Sequence, residues 1–389
     1  MSEKENIFKK QTLLKRHKKE KFFKNLTFIS LLFSILFLFI FLYSLFSYGI
    51  TAFRQTYILV DITYDKSLKY ITTDSIDQKY KKFVSRASLR EITVHLKNNP
   101  SLLNKTVPTW VLANAQVDQY IKGNQNRLNT EDKKVVDTLQ EKDRIETKFN
   151  TLFFSNGDST MAEFSGIFSS LIGSLITLLV TILFAIPIGV MSAIYLEEYA
   201  KNNRFTQIIE ININNLAALP PIIFGLLGLA IFVNYFALPK GSALVGGLTL
   251  AVMTLPIIIV SSRSALRAIP SSIKEAGYAL GLTKTQILKA HVLPLALPSI
   301  LTGSILGLSR SLGETAPLLI IGMVAFAPDT SSSIMDATSV LPAQIYNWSS
   351  MSDYAFIEKT AAATIVLLST ILLLNFIVMY LRKRYKVKL

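Results

Sequence analysis

Cysteine is absent from the 389-residue chain, which excludes disulfides, thiolate metal sites and cysteine nucleophiles together. Histidine is scarce: His17, His95 and His291 lie far apart and make no metal-ligand spacing. Charge is also short, at 17% of residues against 50% hydrophobic, where a soluble globular chain carries about a quarter charged. No glycine-rich loop ending in Lys and Ser/Thr is present to cradle nucleotide phosphates, so any dependence on ATP has to come from another subunit. The apolar regions hold almost no ionisable groups for acid–base work, which weakens an enzyme reading, and no catalytic residue is assigned.

Long hydrophobic runs stand in place of these features. Uncharged runs cover 25–53, 164–196, 211–239, 241–262 and 360–381, each long enough to cross a bilayer at about 20 residues per helix. A sixth stretch, 295–327, is apolar except for Arg310 and Glu314. The expected fold is therefore an all-α polytopic membrane protein with six transmembrane helices. A first helix at 25–53 acts as an anchor, being too long for a secretory signal and lacking its small-residue cleavage site. A five-helix core at 164–381 has spans near 164–196, 208–238, 242–262, 295–327 and 359–381. Pro220-Pro221 and Pro256 fall inside these spans and are expected to kink or interrupt them.

The net charge of +15 does not point to nucleic acid, because of where it sits. Basic residues crowd the tails at 1–24 and 382–389, flanking hydrophobic spans, where they read as topology signals and lipid contacts. Both termini are then expected in the cytoplasm. The 263–294 segment carries Arg263, Arg267, Lys274, Lys284 and Lys289 against one acid, whereas 328–358 carries Asp329, Asp336, Asp353 and Glu358 with no Lys or Arg. That contrast places the first segment inside and the second outside. The remaining outer stretch, 54–163, is long enough to be a small folded unit. Its start, Tyr57 to Tyr64, has the β-branched and aromatic content of a strand. Val84, Leu89, Ile92 and Leu96 recur at helical spacing over 77–98, and Thr130 with Glu131 and Asp132 opens a helix over 130–149. A mixed α/β extracytoplasmic domain follows, with a structural or partner-contact role.

Chemistry concentrates in two places. On a helix turning about 100° per residue, Gly303, Gly307, Arg310 and Glu314 fall in one narrow sector, with Ser299 beside it. Gly303 and Gly307 form a GxxxG pattern that permits close helix packing. A charge near the bilayer centre costs at least about 2.5–3.5 kcal/mol, so Arg310 requires an explanation. One is a planar set of donors offered to an anion in passage, with Glu314 holding or releasing the guanidinium. The other is a self-neutralising Arg–Glu pair that fixes packing. The second place is the basic loop, where Pro270 to Gly281 reads as a short helix begun by the proline and serines and ended by the glycine. A segment over 283–292 follows it, and a helix pair of this kind serves as a connection or as a docking surface for a soluble partner.

Glu275, Ala276, Gly281 six residues after the Glu, and Leu293-Pro294 resemble the EAA loop of binding-protein-dependent ABC transporter permeases. Gly277 stands where that loop usually has alanine, and His291 where a small aliphatic residue is expected. Within that superfamily the chain most resembles the PstA-type branch, in the stretch Ser309-Arg-Ser-Leu-Gly-Glu-Thr-Ala-Pro-Leu-Leu319. Pro187-Ile-Gly189, Ala193-Ile-Tyr-Leu-Glu-Glu-Tyr199 and Leu255-Pro-Ile-Ile-Ile259 support it, and the similarity covers about 164–381. Sulfate and molybdate permeases typically follow the Glu with Phe-Gly-Ala, whereas Thr315-Ala316-Pro317 stands here.

The resemblance implies a subunit of an importer of inorganic phosphate in the bacterial inner membrane, paired with a PstC-type permease, a PstB-type ATPase dimer and an extracytoplasmic phosphate-binding protein. It implies no cofactor in this chain, with ATP and Mg bound by the ATPase. It makes Arg310 and Glu314 substrate-path residues, and Glu275 and its helix the transmitter of force from the ATPase. Import of another oxyanion is the alternative, and a membrane-anchored sensor or scaffold using 54–163 as receptor is a third reading from a different class.

Overall fold

The structure, a computed structural model, describes residues 3–64, 75–77, 79–89, 105–323 and 326–385. Ile92 and Leu96 of the expected 77–98 helix, His95, and Lys386 and Lys388 of the basic tail lie outside the described residues.

Five helical stretches are long and apolar enough to cross a membrane: Arg16–Phe53, Phe168–Tyr199, Ala243–Arg267, Lys284–Leu312 and Tyr354–Ile377. The first belongs to helix α1 (Glu3–Gly49), which also takes in most of the basic tail. No Gly or Pro separates tail from anchor before Gly49, so nothing stops the helix where the composition changes. The span expected over 208–238 is a correction: it is two arms, Arg204–Ala217 and Pro221–Tyr235, bent by 106°. Pro220 causes the break, being extended at ψ 139° and removing an N–H, while Pro221 starts the second arm where its missing donor costs nothing. Pro256, by contrast, is absorbed within a continuous helix, Ala243–Arg267. The span expected over 295–327 also stops early, at Leu312, and only a short turn of helix, Ala316–Ile320, follows Gly313.

In chain order the α/β unit contributes β1 (Arg54–Thr63), β2 (Thr106–Leu112), helices α2 (Ala115–Ile121) and α3 (Thr130–Glu141), and β3 (Ile145–Phe149). The sheet is antiparallel in the order β2-β1-β3, with Tyr57 facing Leu112 on one side and Glu146 on the other. Ile58, Val60 and Ile62 alternate onto one buried face and meet Phe83, Val84, Val117, Val136 and Leu139. Asn129 caps α3 by accepting from the Asp132 N–H, and the helix expected over 130–149 stops at Glu141, with 145–149 forming β3 instead.

The helical part comprises α4 (Phe168–Ile194), α5 (Arg204–Ala217), α6 (Pro221–Gly228), α7 (Ala243–Arg267), α8 (Ser271–Ala279), α9 (Leu293–Leu312), α10 (Leu341–Ser349) and α11 (Tyr354–Tyr385). Helices α4 and α7 pack backbone to backbone: a Cβ on Gly247 would stand 2.4 Å from Val180, and the Thr181 hydroxyl donates to the Gly247 carbonyl at 3.2 Å. Helix α9 also meets α7, through Gly303, where an added Cβ would stand 2.4 Å from Ser261, and Gly307, set against Ile257. Ser309 then ties α9 to α11 through Asn375 at 2.8 Å.

The α/β unit is fastened to this bundle by buried charges. Lys122 of α2 pairs with Asp118 at 2.6 Å and reaches Glu358 of α11 at 3.1 Å. Gln119 also donates to Glu358, and Asp118 accepts from the Thr56 N–H at 2.9 Å. Beside them, Trp348 of α10 donates to Asp158 at 2.9 Å. Glu163 is buried nearby, and desolvation pushes its carboxyl above the ordinary 4.5. A raised native value stabilises fully below the ordinary carboxylate range and is lost as pH rises through the native value. Stability measured by thermal unfolding in detergent is therefore expected to fall as pH increases through and above about 4.5. Glu163→Gln should flatten that dependence.

Candidate functional site

Arg310 sits in the last turn of α9, whose end is closed by the Gly313 N–H donating to the Arg310 carbonyl at 3.2 Å. At about 1.5 Å per residue it stands about 25 Å along the axis from Leu293. Its side chain is 58% exposed and its Nε lies 3.5 Å from Oε1 of Glu314, which is 22% exposed. The shared helical sector expected for these residues holds only to Leu312. Glu314 lies beyond the helix and reaches Arg310 from the break before Ala316–Ile320. Gly303 and Gly307 of that sector meet Ser261 and Ile257 of α7, and the charged pair stands farther along the same face, at the end of the helix. An exposed pair at this separation contributes at most about 1 kcal/mol. Among the described residues the Arg310 guanidinium has no other ion pair or hydrogen bond, which leaves donors facing outward from this chain.

The second group lies at the far end of α4 from the α/β unit. Pro270 is extended and starts α8, and Gly281 ends the turn at φ +77°, a conformation that an L side chain adopts only with strain. Gly277 is buried, and a Cβ there would stand 2.7 Å from Ile287. The departure from alanine thus has a steric reason: it lets the helix Lys284–Ile287 close against α8. Thr283 and Gln286 cap that helix reciprocally. Glu275 and Ala276 lie on the exposed side of α8, next to Tyr278 and to Leu280, which is 80% exposed. Leu293 is half-buried, Pro294 is exposed at the start of α9, and His291 is exposed.

Sequence reasoning did not single out the acids that hold this loop. The chain leaves α4 through a wide π-helical turn, Tyr195–Tyr199. Glu197 of that turn pairs with Arg267 at 2.8 Å and Arg263 at 3.3 Å, and Arg263 also reaches Glu210 of α5 at 2.6 Å. Glu198 pairs with Lys274 of α8 at 2.6 Å. The available signal was two adjacent acids ending a long uncharged run, in a chain that carries five basic residues and one acid over 263–289.

The fold and its two charged sites define a multi-pass membrane component. Residues 185–387, more than half of the chain, match the family "Binding-protein-dependent transport system inner membrane component". The chain belongs to that family. A domain of unknown function matches residues 10–94 and 66–131. The probable ABC transporter permease protein YqgI of Bacillus subtilis is 41% identical over 34% of this chain and 45% of its own length. The phosphate transport system permease protein PstA of Mycobacterium leprae is 32% identical over 47% of this chain and 60% of its own. PstA of Yersinia pestis is 32% identical over 51% of this chain and 67% of its own. The matched region thus spans roughly half to two thirds of these curated relatives, and the likeness is to PstA-type permeases.

Two substitutions check the loop geometry. Gly281→Ala is expected to lower stability by about 1–2 kcal/mol, because the left-handed conformation is strained for a residue with a Cβ. Gly277→Val should lever α8 from Ile287 and speed proteolysis of the 268–292 segment in membrane vesicles, whereas Gly313→Ala should leave that rate unchanged.

Proposed function

We propose that this chain is the membrane-spanning subunit of an ATP-driven importer that carries inorganic phosphate into the cytoplasm. It works with a PstC-type permease, a PstB-type ATPase dimer that binds ATP and Mg, and an extracytoplasmic phosphate-binding protein. Both termini lie in the cytoplasm, with the 263–294 loop on the ATPase side and the α/β unit outside. ATP-driven closure of the ATPase pushes on Glu275 and α8 and opens the pore outward to accept phosphate. Hydrolysis returns it inward.

The observation that carries this reading is Arg310. Its guanidinium is exposed from an otherwise apolar helix, and one long contact to Glu314 leaves donors for an oxyanion. In a water-poor pore such donors bind a dianion in forked geometry and offset its loss of hydration. Glu314 keeps the guanidinium from binding so tightly that release fails. The stretch through Thr315-Ala316-Pro317 and the PstA relatives favour phosphate over other oxyanions.

Radiolabelled phosphate uptake in cells lacking the native gene tests this. A charge-assisted hydrogen bond contributes about 1.5–3 kcal/mol, so Arg310→Gln is expected to slow uptake roughly ten- to hundredfold with the complex still assembled. Glu314→Gln should also slow it. Wild-type rates in both variants overturn the role of the pair, and stronger competition by sulfate, molybdate or phosphonate than by unlabelled phosphate reassigns the substrate.

A further inference from the structure

The acids Glu197 and Glu198 are neighbours in sequence, yet they engage different helices. A regular α-turn directs consecutive side chains about 100° apart, and the wide turn Tyr195–Tyr199 places these two where α7 and α8 converge on the end of α4. Leu196, between Ala193 and Ile259, packs the same turn onto α7 through apolar contact. Glu197 meets Arg263 and Arg267, both on α7. Glu198, 7% exposed, meets Lys274 on the loop helix α8. Its backbone carbonyl accepts from Lys284, at the start of the second loop helix. The Lys284 ammonium lies 5.3 Å from the centre of the Tyr199 ring, and the Tyr199 hydroxyl is 3.1 Å from the hydroxyl of Thr285.

Both pieces of the loop are therefore tied to a single turn. They are also locked to each other, by Ile287 seated on Gly277 and by the Leu282 N–H donating to the Gly277 carbonyl at 3.1 Å. A unit of this kind moves as one body, because closely packed side chains resist graded deformation. Glu275 takes no part: it is exposed and has no partner among the described residues. The force-receiving side of α8 and its anchored side are thus distinct.

We infer that Glu198 is a positioning residue that couples the 270–294 loop to α4, so that displacement of the loop is passed through the Glu197 pairs to the end of α7. The inference rests on the transport reading above but not on the choice of phosphate. Breaking the Glu198–Lys274 pair removes the charge link between α8 and the end of α4, while leaving the Lys284 and Thr285 contacts and the exposed face of α8 intact. A partner docked there keeps its contacts and loses its lever.

The assembled complex with its ATPase subunits, in proteoliposomes, provides the test. The cysteine-free chain accepts a single reporter, Ser264→Cys, on an exposed position of α7. Its rate of maleimide modification is read on this subunit with and without a nonhydrolysable ATP analogue, beside ATP hydrolysis and phosphate uptake. The wild-type pair should show an analogue-dependent change in labelling. Glu198→Lys and Lys274→Glu should each abolish that change and cut phosphate moved per ATP about tenfold, and the double exchange should restore most of both, as a direct pair requires. Glu198→Gln, which keeps shape without charge, should fall between wild type and reversal. A wild-type reporter unmoved by the analogue, single reversals that keep the change, or a double exchange no better than the singles in an assembled complex overturns the inference. Persistent ATP-driven labelling with pair-dependent rescue but no phosphate uptake retires the phosphate reading and leaves the coupling role standing.

Discussion

Inside hydrocarbon, apolar side chains gain little by leaving lipid for one another, so helices associate only where they approach closely enough for dispersion and hydrogen bonds to compete. The architecture depends on that constraint. Gly247 brings α4 and α7 together, and Gly303 seats α9 on α7. A side chain at either place would enter space already filled by Val180 or Ser261. Helix α1 obeys the same rule from outside the core: Gly49 lies against Ala361 and Ala362 of α11, while most of its apolar surface stays exposed.

Once the central helices are fixed, polarity is confined to their ends, and each end uses it differently. At the α/β unit, Lys122, Asp118 and Glu358 are nearly sealed from solvent and paired with one another. Breaking such a network leaves a buried charge unpaired, which makes it a fastening between unit and bundle. At the loop, Arg263 and Lys274 meet their partners in partly exposed positions. Charge there can rearrange at lower cost, as a moving part requires. Arg310 belongs to neither set. It stands at the end of α9 with one loose partner, and its surroundings are incomplete in a single chain.

Much of the helical framework was legible because bilayer crossing imposes length and apolarity that composition reports directly. The strand at Tyr57 and the helix start at Thr130 were legible for local reasons, through β-branched and aromatic content and the acids of the first helical turn. The loop motif was legible too, through Pro270, Glu275 and Gly281. What misled was continuity. Apolar stretches over 208–238 and 295–327 read as single spans, although Pro220-Pro221 and Gly313 divide them. An absence of charge says nothing about where the backbone hydrogen-bond ladder stops. The role of Glu198 in holding the loop was hidden as well, since its partner Lys274 lies far along the chain.

The amino-acid sequence by itself determined that this chain enters the membrane several times, carries a folded α/β unit between its first and second spans, and bears one arginine in a nearly chargeless stretch. Those properties follow from local hydrophobicity, side-chain period and charge placement, which need no knowledge of neighbours. Only the tertiary structure decided that the GxxxG pattern packs on α7, that Glu314 approaches Arg310 from beyond the helix, and that one turn after α4 grips the whole loop. Such facts depend on which distant segments share a few ångströms of space, and close packing and ion pairing act over that distance irrespective of separation along the chain.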